Sequence, residues 1–235
     1  MDSRADPRHL AAPTTTKGRT QVSRKIPSHE ATYARMRDMV LFGALAPGQP
    51  VTIQGLCETL GAGMTPVREA LRRLAAEGAL AAKDNRRIAV PRLTLAEFDQ
   101  IAFARLAIEP RLAALAALRL TPQTLARLAT IDSALDAAIA TADVPAYLRE
   151  NHRFHFTLYE AAEAEVLTRL ARMLWLRIAP SLRVVIAGAP GMPDRHRDAL
   201  AALQSADAPR LQTAIHADIA EGMAHVRTAL EAGEI

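Results

Sequence analysis

Three apolar stripes in the second half of the chain each contain a polar residue that could bind a ligand. Asn151 and His155 lie four residues apart on the apolar face of a predicted helix, so both can point at the same atom. His196 and Asp218 occupy similar places on the apolar faces of two later helices. A polar group on a buried face is costly unless it is paired or ligated. A single buried histidine is usually a satisfied core residue, but the same anomaly on three helices favours one shared internal site.

A second set of residues that could bind a ligand is a cluster of arginines in the first half of the chain. Residues 64–80 read MTPVREALRRLAAEGAL, with apolar residues at helical spacing and with Arg68, Arg72 and Arg73 off that stripe. Pro66 suits the first turn of a helix, where its missing N–H needs no partner. The segment therefore predicts a helix with one apolar and one cationic flank. Such a helix is either an ordinary solvated surface helix or a DNA-recognition helix.

The preceding elements favour the DNA-recognition alternative. Residues 28–43 predict an amphipathic helix that a Pro-Gly turn at 46–51 ends. Thr52 is placed to cap a short helix over 53–60, and the turn at 61–63 reads Gly-Ala-Gly. A short helix, a glycine-containing turn and a second helix with basic residues form the helix-turn-helix pattern.

The segment after the recognition helix predicts a basic β-hairpin. Two short strands flank residues 83–87, and Asn85 suits the left-handed turn between them. Arg86 and Arg87 lie where the wing of a winged helix could hold DNA phosphates. An arginine at position 68 could instead bond a guanine edge in the major groove.

Composition divides the chain into three predicted parts. Residues 1–27 are basic and polar and predict a disordered arm, either with weak phosphate attraction or without a role. Residues 28–92 form the predicted winged helix-turn-helix. Residues 93–235 predict an all-α bundle of six or seven helices, because proline- and glycine-marked breaks separate helical patterns without any strand pattern. The expected fold is therefore mainly α, with a small β-hairpin wing.

The distribution of charge and the single cysteine favour an intracellular DNA-binding protein. Residues 1–92 carry 15 Lys and Arg against 8 Asp and Glu, whereas residues 93–235 carry 14 against 17, so the two parts have net charges of +7 and −3. A basic front half on an acidic back half suits a DNA reader joined to a sensor. The single cysteine, Cys57, permits no intramolecular disulfide and is interpreted as core filler rather than a redox switch. A chain without an intramolecular disulfide fits a reducing compartment, so we expect a cytoplasmic protein that is nucleoid-associated when bound to DNA. No apolar stretch is long enough to span a membrane.

Residues 28–92 resemble the winged helix of the GntR family of bacterial transcription regulators. "L-x-PG", "TPVREAL" and "L-x-x-EG" stand in the family's order and spacing. Thr65 and Arg68 match the family's DNA-contacting positions. Gly63 and Met64 depart from its usual Ser or Thr and Arg, and Gln54 replaces a contacting Arg of some members. The resemblance implies DNA binding but not the family's usual operator sequence.

Residues 98–228 are similar to the all-helical FCD effector domain of the family's FadR branch. The similarity rests on Arg105 with Glu109, "N-x-x-F-H" at 151–155, His196 and a final-helix position 22 residues later. Many members hold a divalent metal, often zinc, through one Asp and three His. The resemblance therefore implies a site built from Asn151, His155, His196 and Asp218, with an amide in place of the family's Asp and a carboxylate in place of its last His. Two nitrogen and two oxygen ligands would admit Zn, Mn, Ni or Fe(II); a metal-free polar pocket is the alternative.

The resemblance implies a homodimeric repressor that binds a pseudo-palindromic double-stranded operator. A small carboxylic acid bound in the bundle would release it from DNA, with Arg105 as a candidate partner of that acid. Arg105 could equally form a helix-surface pair with Glu109.

A DNA-binding dimer with a vestigial back half is the second hypothesis. A metal-dependent hydrolase is the third; no general base, nucleophile motif or phosphate-binding loop in the sequence favours it.

Overall fold

A computed structural model describes residues 28–83, 87–188 and 195–235. Its elements are α1 (Ser28–Leu41), β1 (Pro50–Val51), α2 (Ile53–Leu60), α3 (Met64–Ala76), β2 (Ala81–Lys83), β3 (Arg87–Ala89), α4 (Leu95–Ala117), α5 (Pro122–Ala140), α6 (Val144–Ala161), α7 (Glu165–Gly188), α8 (His196–Gln204) and α9 (Ala208–Glu231). The predicted mainly α fold with a small β wing is thus confirmed. The predicted arm at 1–27 and the hairpin tip with Arg86 lie outside the described residues.

The helix-turn-helix forms because the predicted stripes are buried and the helix ends are capped. Val67 and Leu74 of α3 are fully buried, and Ala70 and Leu71 lie beside them in the same core. The Thr52 hydroxyl accepts the Gly55 N–H at the start of α2, as expected. Gly63 precedes α3 without a side-chain cap. Burial of the apolar face, rather than capping, therefore fixes the recognition helix.

The wing contains one strand more than the sequence predicts. β2 and β3 pair antiparallel, with Lys83 opposite Arg87, and β1 pairs antiparallel with the other edge of β3. The sequence of 46–51 predicts a turn only, because a two-residue strand has no periodicity to detect. β1 ties the segment before α2 to the wing.

Six helices, α4 to α9, make up the bundle in the part of the chain that the structure describes. α4 packs along α9, α5 packs along α6, and α8 packs against α9. Thr121 and Asp207 cap α5 and α9, and a proline follows each cap, as predicted. This arrangement brings α6, α8 and α9 together, and these are the helices that carry the polar residues of the three stripes. None of the described helices is long and apolar enough to cross a membrane.

The two halves touch through α1 and α7. Gly43, just after α1, has a φ of +81°, and a Cβ atom there would lie 1.8 Å from Cδ of Arg183 on α7. Arg177 of α7 lies against Gly78 and pairs with Glu97 at 3.1 Å. Phe42 meets the edge of the His152 ring on α6. Burial, aided by the charges of Arg37 and Arg172, lowers the pKa of His152 to about 3, so this ring is neutral at physiological pH.

Candidate metal centre and nucleic-acid interface

The candidate metal centre is built on the buried face of α6. Asp143 caps this helix by accepting the Ala146 N–H. Asn151, His155 and Tyr159 then follow at intervals of four residues, which places them on one face. His155 is 1% exposed, and Asn151 is also buried. The mostly apolar face of α6, which also carries Asn151 and His155, therefore points into the bundle.

Donor groups from two other helices lie beside His155, which makes three in all. Its Nε2 lies 3.2 Å from Oδ2 of Asp218 on α9 and 3.5 Å from Nε2 of His196 on α8. All three donor atoms lie within 4.8 Å of one another. Two nitrogen donors bound tetrahedrally to one zinc ion are roughly 3.3 Å apart, given Zn–N distances of 2.0–2.1 Å. The donor set and its spacing thus fit a divalent metal ion.

Asn151 and Arg105 lie near the same donors. Both line a cavity of about 40 Å³ together with His155, Asp218 and Trp175. This cavity has room for about one or two water-sized groups rather than for a metabolite. The structure thus brings all four predicted ligand residues and Arg105 to one region.

The tautomer of His155 is set by Tyr159. The Tyr159 hydroxyl donates to Oε2 of Glu109 at 2.8 Å and lies 3.0 Å from Nδ1 of His155. Burial raises the pKa of Tyr159 well above its usual value, and the negative charge of Glu109 acts in the same direction, so the phenol keeps its single proton. Because that proton goes to Glu109, Nδ1 of His155 must be the donor to the phenol oxygen. Nε2, the atom facing His196 and Asp218, is then left with a lone pair in the neutral ring.

Asp218 supplies the negative charge of the centre. Burial raises the pKa of this carboxyl, but Nε2 of His155 donates to it whenever that ring is protonated, and this hydrogen bond together with the positive charges of His155, His196 and Arg105 lowers the pKa by more. The net effect is a lowered pKa, so the group is a carboxylate at physiological pH. Its side chain is 21% exposed, which leaves this side of the centre the more accessible one.

Arg105 and Glu109 form an ion pair inside the bundle. Nε and Nη2 of Arg105 donate to the two carboxylate oxygens of Glu109 at 2.5 and 3.2 Å, and both side chains are almost fully buried. The indole N–H of Trp175 donates to the same carboxylate at 3.0 Å. The pair proposed from spacing is therefore present, but in the core and not on a helix surface. Nη1 of Arg105 lies 3.9 Å from the Met223 sulfur and is the part of the guanidinium with the weakest partner.

The recognition helix presents part of its predicted basic flank to solvent. Thr65, Arg68 and Arg72 are exposed, and Arg72 pairs with Glu69 at 2.7 Å on the same helix. Arg87 on β3 is also exposed. These side chains are accessible from solvent on the recognition helix or on the wing, where a nucleic acid could reach them.

Arg73 lies apart from this flank. Its guanidinium sits 3.7 Å from the centroid of the Tyr33 ring and donates to Glu30 at 2.9 Å, and both partners belong to α1. The side chain also lines a cleft between the two halves of the molecule. Arg73 therefore points toward α1 and the bundle.

Sequence reasoning missed Tyr159 and Trp175. Tyr159 follows His155 by four residues, so helical spacing alone could have placed it on the same face. Trp175 carried no local signal, because its contacts with His155 and Glu109 come from helices distant in sequence.

Comparison with known proteins matches both halves of the chain. Residues 28–90 match the bacterial regulatory proteins of the gntR family, and residues 100–221 match the FCD domain. The chain is 33% identical over 147 residues to the HTH-type transcriptional regulator McbR of Escherichia coli K12, which is 63% of this chain and 66% of McbR. It is 27% identical over 89 residues to the uncharacterized HTH-type regulator YdhC of Bacillus subtilis 168, which is 38% of this chain and 40% of YdhC. Both alignments thus span less than two thirds of the relative's length.

Solved structures with the same architecture support these matches. E. coli McbR/YncC superposes with a TM-score of 0.75 at 26% identity, covering 89% of this chain and all of that one. A GntR regulator from Rhodococcus sp. RHA1 superposes with a TM-score of 0.71 at 20% identity, covering 86% and 98%; this likeness shows the fold.

A winged helix-turn-helix followed by an all-helical FCD domain is the architecture of a transcriptional regulator. Within that class, the chain belongs to the GntR family, and its second half is an FCD effector-binding domain. The families that match contain transcriptional regulators rather than enzymes, so the hydrolase hypothesis has no support.

Proposed function

We propose that the chain binds double-stranded DNA as a homodimer and releases it when a small carboxylate enters the FCD domain. The recognition helix is proposed to enter the major groove, with Thr65 and Arg68 at base edges and Arg72 at the phosphate backbone. Arg86 and Arg87 of the wing are proposed to hold phosphates. The observation that carries the DNA half is the exposed flank of α3 opposite its fully buried stripe.

The sensor half is proposed to hold a divalent metal through His155, His196 and Asp218, with the Asn151 amide as a fourth ligand. The observation that carries this proposal is the convergence of two imidazoles and one carboxylate within 4.8 Å. Zinc fits the mixed nitrogen and oxygen donors, as do Mn, Ni and Fe(II). When bound, the metal supplies positive charge to which an effector carboxylate can be drawn.

The residues of the chain divide the remaining tasks. His155 presents Nε2 because Tyr159 holds its Nδ1, and Asp218 supplies a carboxylate to the centre. Arg105 is proposed to meet the effector through Nη1, while Glu109 holds the rest of the guanidinium. Because the cavity is only about 40 Å³, an effector must enlarge it, and this expansion is proposed to change the placement of the DNA-binding half.

Selection of genomic fragments by the purified full-length protein tests the DNA half. We expect a pseudo-palindromic site to be enriched, and Arg68→Ala to remove that enrichment while weak nonspecific binding stays. Arg127→Ala, an exposed arginine on α5, is the matched control and should leave the enrichment intact. Enrichment by the Arg68→Ala variant equal to that of the parent would refute the base contact.

Metal analysis of the same protein tests the sensor half. The parent should retain close to one divalent ion per chain after dialysis, and the double variant His155→Ala with His196→Ala should retain none. Equal metal content in both would refute the centre. It would favour the second hypothesis, a DNA-binding dimer with a back half that does not sense metal.

A further inference from the structure

A cleft separates the DNA-binding half from the bundle, and we call it the interdomain cleft. Its walls are α1 and α3 on one side and α6 and α7 on the other, and its volume is about 370 Å³. Small-molecule sites commonly lie at domain interfaces and begin at roughly 300 Å³. This cleft is thus far larger than the cavity at the candidate metal centre.

Four arginines line the interdomain cleft, two from each half. Arg37 and Arg73 come from the DNA-binding half, and Arg169 and Arg172 come from α7, whereas Glu77 is the one acid among the described residues that line the cleft. Arg73, Arg169 and Arg172 each pair with one carboxylate, from Glu30, Glu165 and Glu160, respectively. A guanidinium carries five N–H donors, so each of these arginines still has N–H groups that can donate to a ligand.

Arg37 is the member of this set with the least satisfied donors. Its Nε is buried and has no hydrogen-bond partner among the described residues, and its only charged contact is Asp38 at 3.5 Å. A buried donor without a partner costs free energy that a native fold usually avoids. Because Nε itself is shielded from solvent, an anion in the cleft would bind the terminal nitrogens of Arg37, whose side chain is 33% exposed.

The guanidinium planes of two other arginines are already fixed. Arg73 lies 3.7 Å from the centroid of the Tyr33 ring, and Arg172 lies 4.7 Å from that of Phe156. Stacking and pairing together limit the rotamers of these long side chains, so little freedom remains to be lost on binding. Donors from both halves are therefore held in place around the cleft.

We propose that the interdomain cleft binds a small organic dianion and is a ligand site separate from the metal centre. Guanidinium groups recognise carboxylate and phosphate with the same paired geometry, so the ligand is a dicarboxylate or a phosphate monoester. Leu41, Met173 and Leu176 supply an apolar wall, which favours a ligand with an apolar body over a bare inorganic ion.

A ligand in this cleft contacts both halves at once and therefore favours one relative placement of them. The cleft also adjoins the metal centre through α6. His152 lines the cleft and meets the edge of Trp175, and Trp175 in turn lies 5.2 Å from His155 between ring centroids. Dianion binding and metal binding should consequently change each other's affinity by the same factor.

Calorimetric titration of the full-length protein tests the site with phenyl phosphate, phthalate and inorganic phosphate, each against sodium chloride at equal ionic strength. We expect one of the two organic dianions to bind more tightly than inorganic phosphate, and their order distinguishes the phosphate from the dicarboxylate ligand. Arg37→Gln and Arg172→Gln should each weaken binding about tenfold or more, the loss expected for a charged hydrogen bond. Arg127→Gln, on α5, should bind as the parent does.

Two further variants separate a ligand site from a structural role. Because Nε of Arg37 has no hydrogen-bond partner in the part of the chain that the structure describes, Arg37→Gln should keep or raise the melting temperature while it removes dianion binding. The double variant His155→Ala with His196→Ala should still bind the dianion. Binding that is lost in this double variant but kept in Arg37→Gln would place the anion at the metal centre, and no heat above the salt control would leave the cleft without a ligand; either result overturns the proposal.

Discussion

The phenol oxygen of Tyr159 lies 3.0 Å from Nδ1 of His155, one helical turn away on α6. The same hydroxyl gives its proton to Glu109, so Nδ1 of the histidine must donate, and in the neutral ring Nε2 presents a lone pair to the centre. A residue outside the ligand set thus decides which ring nitrogen can bind a metal.

Tyr159→Phe should weaken metal binding about tenfold or more, the usual effect of losing a group that orients a ligand. Competition against a coloured chelator measures the change. Tyr33→Phe removes a hydroxyl outside the bundle and should have no effect. Unchanged affinity in Tyr159→Phe would mean that packing alone orients His155.

Metal affinity should fall as the pH is lowered from 8 to 6. Protons compete with the metal for the nitrogens of His155 and His196, and imidazole ordinarily titrates in this range. The lowered pKa of Asp218 keeps its carboxylate ionised throughout the range, so the carboxylate adds nothing to the slope. Asp218→Asn should therefore bind metal more weakly, while the affinity still falls toward pH 6. An affinity independent of pH would exclude the imidazoles as ligands.

Glu109→Gln should lower the free energy of unfolding by about 3–5 kcal/mol, because it leaves the Arg105 charge buried without a counter-charge. Urea unfolding measures the change. Glu165→Gln breaks a pair of the same i,i+4 spacing on the exposed side of α7, and little change is expected there. Similar losses in the two variants would show that burial does not set the strength of the pair.

Gly43→Ala should destabilise the protein by more than about 1 kcal/mol, because φ is positive and the new methyl group meets Arg183. Gly61→Ala also has a positive φ, of +58°, with nothing within 4 Å of the new methyl group, so it measures the cost of a left-handed backbone without a steric contact. Adding Arg183→Ala should reduce the cost of Gly43→Ala to that of Gly61→Ala. A cost that stays the same in the Arg183→Ala background would mean that the contact between the halves contributes nothing.

The sequence allowed the DNA-binding half to be predicted nearly in full, since helical stripes, caps and turn residues are local signals. The strand Pro50–Val51 was missed because its pairing with Arg87–Ala89 is formed by residues far along the chain. Three stripes indicated a shared internal site, but only the packing of α6, α8 and α9 shows that His155, His196 and Asp218 meet. Spacing could not tell whether Arg105 and Glu109 pair at the surface or in the core, because both places use the same i,i+4 geometry.

Trp175 is the only tryptophan of the chain. Its indole touches Glu109, the guanidinium of Arg105, and the rings of His155 and His152, so it stands between the metal centre and the interdomain cleft. The tryptophan fluorescence of the protein therefore comes from Trp175 alone, which lies next to both candidate sites. The unlabelled protein carries its own optical probe, and quenching by a nearby metal or a change in emission colour would report occupancy in real time.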